Sequence, residues 1–252
     1  MNPNIHNEMQ MQQRYYSETA NQYNLMHLDK KGEHFFALCF MVAALEHLEI
    51  KSILDVGSGT GRALSYVKKI RPDVKIVGIE PVKELREIGY QNGLSKDELI
   101  DGDATKILFS PAEFDLVCEF GVLHHIRKPK IAVAEMLRVA KKAIFISDSN
   151  NFGQGPLINR IVKQFINLLG LWPVFDLLKT KGRGYTLSEG DGLTYSYSVF
   201  TNYRQIRAQC QSIHILNTQD GNINPYRTAA HLALLGVKKQ NNELVTSAPS
   251  KK

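Results

Sequence analysis

Between residues 52 and 149, short apolar runs alternate with amphipathic stretches. SILDV (52–56), KIVGIE (75–80), ELIDGD, FDLVCEFG and KAIFISDS read as strands. Between them GRALSYVKKI (61–70), VKELREIGYQNG and IAVAEMLRVA carry helical spacing, the second ending in a glycine as helix C-termini often do. Apolar strands separated by helices imply parallel strands joined by crossover helices, an α/β doubly wound sheet. Upstream, GEHFFALCFMVAALEHL predicts an apolar-faced helix, and residues 1–31 predict a loop with a short helix.

The alternation stops near Asn150. PLINRIVKQFINLLGLWPVFDLL is amphipathic, with Arg160, Lys163 and Gln164 on its polar side, and Pro173 should break or restart it. A glycine- and tyrosine-rich stretch, KGRGYTLSEGDGLTYSYSVF, follows. The α/β pattern then resumes with helix TNYRQIRAQC and strands SIHILNT and TAAHLALLGVKK. The chain thus divides into an N-terminal segment and helix (1–50), an α/β core (51–150), an insertion over one sheet edge (151–199), the rest of the core (200–237) and a frayed polar tail (238–252).

Composition narrows the function classes. Hydrophobic content of 43% and charged content of 22% over 252 residues are those of a soluble globular protein. The charge of +6 would suit an anionic partner, but the cations are scattered without a basic block, so nucleic acid is not expected. The N-terminus has no apolar signal segment, and the longest apolar run, FFALCFMVAAL, is too short to span a bilayer. Cys39, Cys118 and Cys210 share no disulfide or metal spacing, which fits a reducing cytoplasm. The eight histidines form no recognisable ligand set, so no metal is expected.

The chemistry begins at ILDVGSGTG, where Gly57, Gly59 and Gly61 follow a strand. Glycines there permit unusual backbone angles and close approach of a ligand, and the helix starting near Gly61 offers free N–H groups. The loop therefore indicates a nucleotide-like ligand at the carboxyl end of the first strand. An NAD fingerprint would read G-x-G-x-x-G, and here the run is G-S-G-T-G. Glu80 ends the next strand, where an acid can accept both ribose hydroxyls. Asp103 ends the third; its carboxylate can accept from an exocyclic amine, beside the backbone N–H of Ala104.

With LDVGSGTG, GIEP, DGDATKI, FDLVCEFGVLHHI and EMLRVAKKAIFI together, the chain resembles a class I S-adenosylmethionine (SAM)-dependent methyltransferase over roughly residues 15–150 and 200–237. The resemblance implies a seven-stranded, mostly parallel sheet with an antiparallel final strand, here TAAHLALLGVKK, and an inserted helical and loop cap. It implies SAM as cofactor and S-adenosylhomocysteine as product. Asp55, Gly57, Ser58 and Gly59 would line the methionine part, Glu80 and Pro81 the ribose, Asp103 and Ala104 the adenine, and Glu119 or Phe120 the floor of the site. RYYSETANQYN resembles the segment that closes over the cofactor, with Tyr15 and Tyr23 as contacts. A Pro-Gly-Gly turn common in relatives before the fifth strand is replaced here by VAKKAIF.

A sulfonium methyl is already a strong electrophile, so such an enzyme mainly places the acceptor in line and excludes water. A base is needed only for a hydroxyl or a protonated amine, and His124 and His125 are the candidates. No Pro-Pro-Tyr-like run follows the fourth strand, and Cys118 lies inside a strand, so base methylation is not indicated. The insertion should choose the acceptor. Arg183, Tyr185, Tyr195 and Tyr197, with Asp148 and Asn150 at the end of the fifth strand, are the candidate acceptor contacts, in a setting that suits a polar small molecule such as a sugar or secondary metabolite. The amphipathic helix would cap the site, pair two copies in a homodimer, or rest on a membrane surface. The alternatives are a protein or RNA methyltransferase and a SAM-binding scaffold without catalysis.

Overall fold

The computed structural model describes residues 3–27, 32–188, 190–219 and 224–239, and within the first helix the side chains of residues 7–21. Five strands run parallel: β1 (Ser52–Val56), β2 (Lys75–Ile79), β3 (Leu99–Ile100), β4 (Phe114–Phe120) and β5 (Ala140–Ser149). A hairpin, β6 (Thr186–Ser188) with β7 (Gly192–Thr194), belongs to the insertion. β8 (Cys210–Asn217) and β9 (His231–Lys238) complete a seven-stranded sheet in the order β3-β2-β1-β4-β5-β9-β8. The last strand in sequence, β9, slots antiparallel between β5 and β8, pairing Ser149 with His231. The expected fold is the one found.

Alternation along the strands fills both faces. Leu54, Val56, Val77, Val117 and Ile146 pack toward α5 (Pro129–Val139), whose Val133, Met136 and Leu137 are fully buried. Ile53, Leu116, Cys118 and Phe145 pack on the other face with α2 (Glu33–Ala44) and α3 (Arg62–Ile70). A helix layer on each face is what parallel strands need to keep both sides dry. α4 (Lys83–Gln91) links β2 to β3, and α8 (Tyr203–Gln209) precedes β8.

Three elements differ from expectation. The N-terminal segment, expected to be a loop with a short helix, is a 25-residue helix, α1 (Pro3–His27), opening on Pro3. Its sequence hides this because its partners are mostly polar, so it carries no long apolar stripe. The expected amphipathic helix is two, α6 (Leu157–Leu168) and α7 (Trp172–Lys179), separated at Gly170 (φ 72) with Pro173 in the first turn of α7. The polar tail expected from 238 onward starts inside β9: Lys238 still donates through Nζ to the carbonyls of Leu137 and Ala140. Residues 240–252 lie outside the described residues.

Gly57, Gly59 and Gly61 all have positive φ, and two of them are also packed hard. A Cβ on Gly57 would lie 2.5 Å from Val122 Cγ2, and one on Gly61 2.0 Å from Leu94 Cδ1. The glycines therefore serve protein packing as well as any ligand. Gly61→Ala should destabilise the fold by about 1–3 kcal/mol, from left-handed backbone strain and displacement of Leu94. Thermal unfolding followed by circular dichroism should show a melting point lower by several degrees; an unchanged value would contradict this packing role.

Candidate active site

The loops leaving the carboxyl ends of β1, β2, β4 and β5 meet at the usual binding edge of an open α/β sheet. They build two chambers. One is lined by Gly57, Glu80, Asp103, Phe120 and Val122, with Tyr16 reaching in from α1. The other, a cavity of about 710 Å³, is lined by His34, His124, Ser149, Tyr185, Asp191 and Tyr195. Gly121 (φ 78) is the partition: it lines the first chamber, and a Cβ there would lie 2.9 Å from His34 Nε2 and 3.6 Å from His124 Cε1.

In the first chamber Glu80 is buried, and its two oxygens accept from Gly59 N (2.9 Å) and Val82 N (2.8 Å). Burial pushes its carboxyl up to about 7, against those two hydrogen bonds and nearby Arg86. Asp55 is also buried and is pushed up to about 6 by desolvation; Cys118 Sγ lies 3.7 Å from its Oδ1. Asp103 binds Thr105 N and Oγ1 through Oδ1 alone, and Pro81 and Ala104 line the chamber with it. Ser58 Oγ turns back to the Asp55 carbonyl (2.9 Å). Phe120 faces the chamber, whereas Glu119 is fully buried behind it, accepting from Val122 N and Ser147 N.

α1 closes this chamber. Gln12 Oε1 accepts from Leu193 N, Tyr15 OH accepts from Gly190 N (2.7 Å), and Glu8 pairs with Arg127 at 2.7 Å. Tyr15 therefore grips the hairpin, and its neighbour Tyr16, part of the expected closing segment but not one of its two expected contacts, stands at the chamber wall. Tyr23 lies in α1 outside the described side chains. With α1 in place the chamber measures about 140 Å³, below the roughly 300–1,000 Å³ of ligand pockets.

The two candidate histidines differ in protonation. Burial opposes charge on His124, but Asp148 Oδ1 at 2.7 Å from Nδ1 and Asp191 raise its pKa well above the ordinary value, which favours the charged ring. Its Nε2 sits 3.4 Å from Asp191 Oδ2, an ion-pair distance without hydrogen-bond geometry. His125 is held neutral by burial and by the charge on His124. Donation from its Nδ1 to Leu193 O (2.8 Å) leaves Nε2 to accept from Tyr16 OH (2.9 Å).

The acceptor-side candidates separate in the same way. Tyr185 and Tyr195 line the cavity, and Tyr195 OH also donates to Glu8 (2.8 Å), helping to hold α1. Tyr197 reaches the cavity wall but is buried, its hydroxyl donating to Asn202. Arg183 is exposed and stacks over Tyr185 (5.6 Å) away from the lining. Asp148 is fully buried, accepting from Leu123 N, His124 N and Ser149 N. Asn150 is structural: it donates to the carbonyls of Pro225, Tyr226 and Ala229 and accepts from Ser198 Oγ. Among the described residues, two groups have ligand atoms within 4.8 Å of one another and could hold a cation: Glu33 with His34 and His231, and His124 with His125 and Asp191. Neither was visible in the sequence, because only the fold gathers residues so far apart.

Sheet order, glycine turn and strand-end acids together define a class I SAM-dependent methyltransferase fold. Residues 54–146 match the family described as "Methyltransferase domain". Over 138 residues the chain is 28% identical to a phosphatidylethanolamine N-methyltransferase of Cereibacter sphaeroides, covering 47% of this chain and 61% of that one. Over 93 residues it is 33% identical to a demethylmenaquinone methyltransferase of Deinococcus radiodurans, covering 35% and 38%. The chain thus spans between about two-fifths and three-fifths of these curated relatives' lengths. Among solved structures, the plantazolicin methyltransferase BpumL in complex with SAH superposes with a TM-score of 0.58 at 14% identity, over 92% of this chain and 96% of that one. A SAM-dependent methyltransferase of Thermotoga maritima gives 0.55 at 16% identity, over 90% and 99%. At such identities these structures establish the fold alone.

The residues present fit SAM. Its sulfonium and ammonium are cationic, and its ribose hydroxyls and adenine amine are donors. The first chamber answers with the carboxylates of Glu80 and Asp103, with Asp55 close behind. Each Glu80 oxygen accepts one backbone N–H and keeps a lone pair for a ribose hydroxyl. In the ligand-free protein Glu80 holds its proton to higher pH than in the unfolded chain, so its contribution to stability falls as pH rises from 4.5 through about 7. Ribose hydroxyls favour the carboxylate, so S-adenosylhomocysteine binding near pH 6.5 should release a proton. Calorimetry in buffers of different ionisation enthalpy would detect this release. Glu80→Gln should abolish the release and weaken binding by about tenfold or more; unchanged binding would place the ribose elsewhere.

Proposed function

We propose that the chain transfers the methyl group of SAM to an oxygen or nitrogen of a small-molecule acceptor seated in the 710 Å³ cavity. The observation that carries this reading is the pair of chambers meeting at Gly121, one walled by strand-end acids and the other by mixed polar and aromatic side chains. When bound, SAM supplies an electrophilic methyl group. Glu80, Asp103 and Ala104 would hold its nucleoside, and Asp55 and the glycine turn its methionine part.

The chain's own residues then have to exclude water and orient the acceptor. Exclusion falls to α1, clamped through Glu8, Gln12 and Tyr15. Orientation falls to His34 at the partition. Burial, His231 and Arg62 hold its ring neutral, so it can accept a hydrogen bond from an acceptor hydroxyl or amine. His124, whose pKa Asp148 and Asp191 raise, is disfavoured as a proton acceptor and sits instead beside Asp191 in the cavity wall. Lys179 and Tyr185 add the donors that a polar acceptor needs.

The test is release of S-adenosylhomocysteine from SAM by the purified protein with a panel of acceptors. The relatives named for phosphatidylethanolamine and demethylmenaquinone supply the first compounds to try. Release with one acceptor class supports the reading; tight binding without turnover on any acceptor would favour the scaffold alternative. With a working acceptor, His34→Gln should lower kcat/KM at least about tenfold while leaving S-adenosylhomocysteine affinity unchanged. Equal loss of both would remove His34 from the acceptor side.

A further inference from the structure

The insertion wears its amphipathicity inside out. On α6 and its C-cap Leu169, the exposed apolar residues Leu157, Ile158, Ile161, Val162, Phe165, Leu168 and Leu169 fall within an arc of about 140° at roughly 100° per residue, with half-buried Ile166 at its edge. In a globular helix that stripe faces the core. Here it faces solvent, with Ile158 74% and Leu168 81% exposed, and neither α6 nor α7 has a buried residue. The polar face is the one turned inward. Lys163 Nζ donates to the carbonyls of Asn151 and Gln154, and Gln164 Nε2 to those of Phe152 (3.1 Å) and Arg227 (2.9 Å).

α7 continues the arrangement. Trp172 packs edge-on to Phe152 at 5.1 Å, fixing the helix to the body, while Val174, Leu177 and Leu178 point out at 50–73% exposure. Eleven of the twenty exposed large hydrophobic residues among those described lie between 157 and 178. So dense an apolar surface marks an interface.

Charge selects the occupant. Of the five Lys or Arg residues between 157 and 183, Arg160 and Lys163 lie on the inward polar face of α6, which leaves Lys179, Lys181 and Arg183 against one acid, Asp176. Lys179, Lys181 and Arg183 are exposed where α7 ends. A second copy of the chain would set this basic rim against itself, because a two-fold interface pairs identical surfaces. An anionic lipid surface instead receives both the apolar face and the cations. No helix among the described residues is long and apolar enough to cross a membrane, so the contact is one of lying on the surface.

We propose that α6 and α7 dock the protein on an anionic bilayer, with the apolar arc in the interface and the basic rim among the headgroups. Asp176, Lys179 and Thr180 of the same region line the large cavity. If that cavity holds the acceptor, as proposed above, the helix that docks also walls the acceptor site, and the acceptor arrives on a lipid.

The test is co-sedimentation of the full-length protein with vesicles of phosphatidylcholine alone or mixed equally with phosphatidylglycerol, without SAM. The comparison variant is Ile158→Glu/Phe165→Glu/Leu178→Glu, three exposed side chains outside both chambers. The wild type should bind the anionic vesicles at least tenfold better than the neutral ones, and less well in high salt. The variant should lose at least tenfold in partitioning while binding S-adenosylhomocysteine as the wild type does. Absence of vesicle binding by the wild type, or equal binding by the variant, would overturn the docking. So would a dimer that the variant dissociates, because it would assign the face to a second copy. Vesicle binding is read without cofactor, so its failure leaves the methyl-transfer reading standing, and failure to bind S-adenosylhomocysteine leaves the docking standing.

Discussion

The junction between the chambers hangs on one buried carboxylate. Asp148, at the end of β5, accepts from three backbone N–H groups and from the His124 ring. An ionised carboxyl so deeply buried is tolerable only when its lone pairs are taken, and here they are. Its charge favours the charged ring of His124, and its hydrogen bonds fix the turn from Leu123 to His125 that separates the two sides. Glu80 and Glu119 repeat the device at the ends of β2 and β4, each tying a strand end to backbone N–H groups of neighbouring segments. Glu80, the acid that would meet the ribose, is thus held by the same bonds that hold its loop.

Around this rigid edge the mobile work is assigned to polar contacts. α1 is bound to the hairpin and to Arg127 by Glu8, Gln12 and Tyr15, with little apolar burial beyond Ala20 and Tyr16 against Val82, Leu85 and Ile88. Such a clamp can open without dismantling a core. The insertion uses the opposite scheme. Its polar face is spent on the body, leaving its apolar face for something outside the protein.

Much of this was legible in the sequence, and the rest failed for identifiable reasons. Strand and helix periodicity from 52 to 149 and the spacing of Gly57, Glu80 and Asp103 are local signals, and the fold follows them. The helix over residues 3–27 was missed because its stabilising partners are charged and amide groups on distant elements. His34 and His231 stand beside each other only because β9 pairs with β5. The stripe in residues 157–178 revealed amphipathic helices but not which face is turned inward; that depends on carbonyls of Phe152, Gln154 and Arg227 left open by the surrounding turns.

The central claim is that the cofactor lies between the glycine turn and α1, with the acceptor chamber on the far side of Gly121. Amide hydrogen exchange with and without S-adenosylhomocysteine tests it most directly. Protection should rise in residues 57–61 and 80–82, around 103–105, and along α1, while α6 and α7 exchange as before. Protection absent from the glycine turn and α1, or confined to the insertion, would contradict the account.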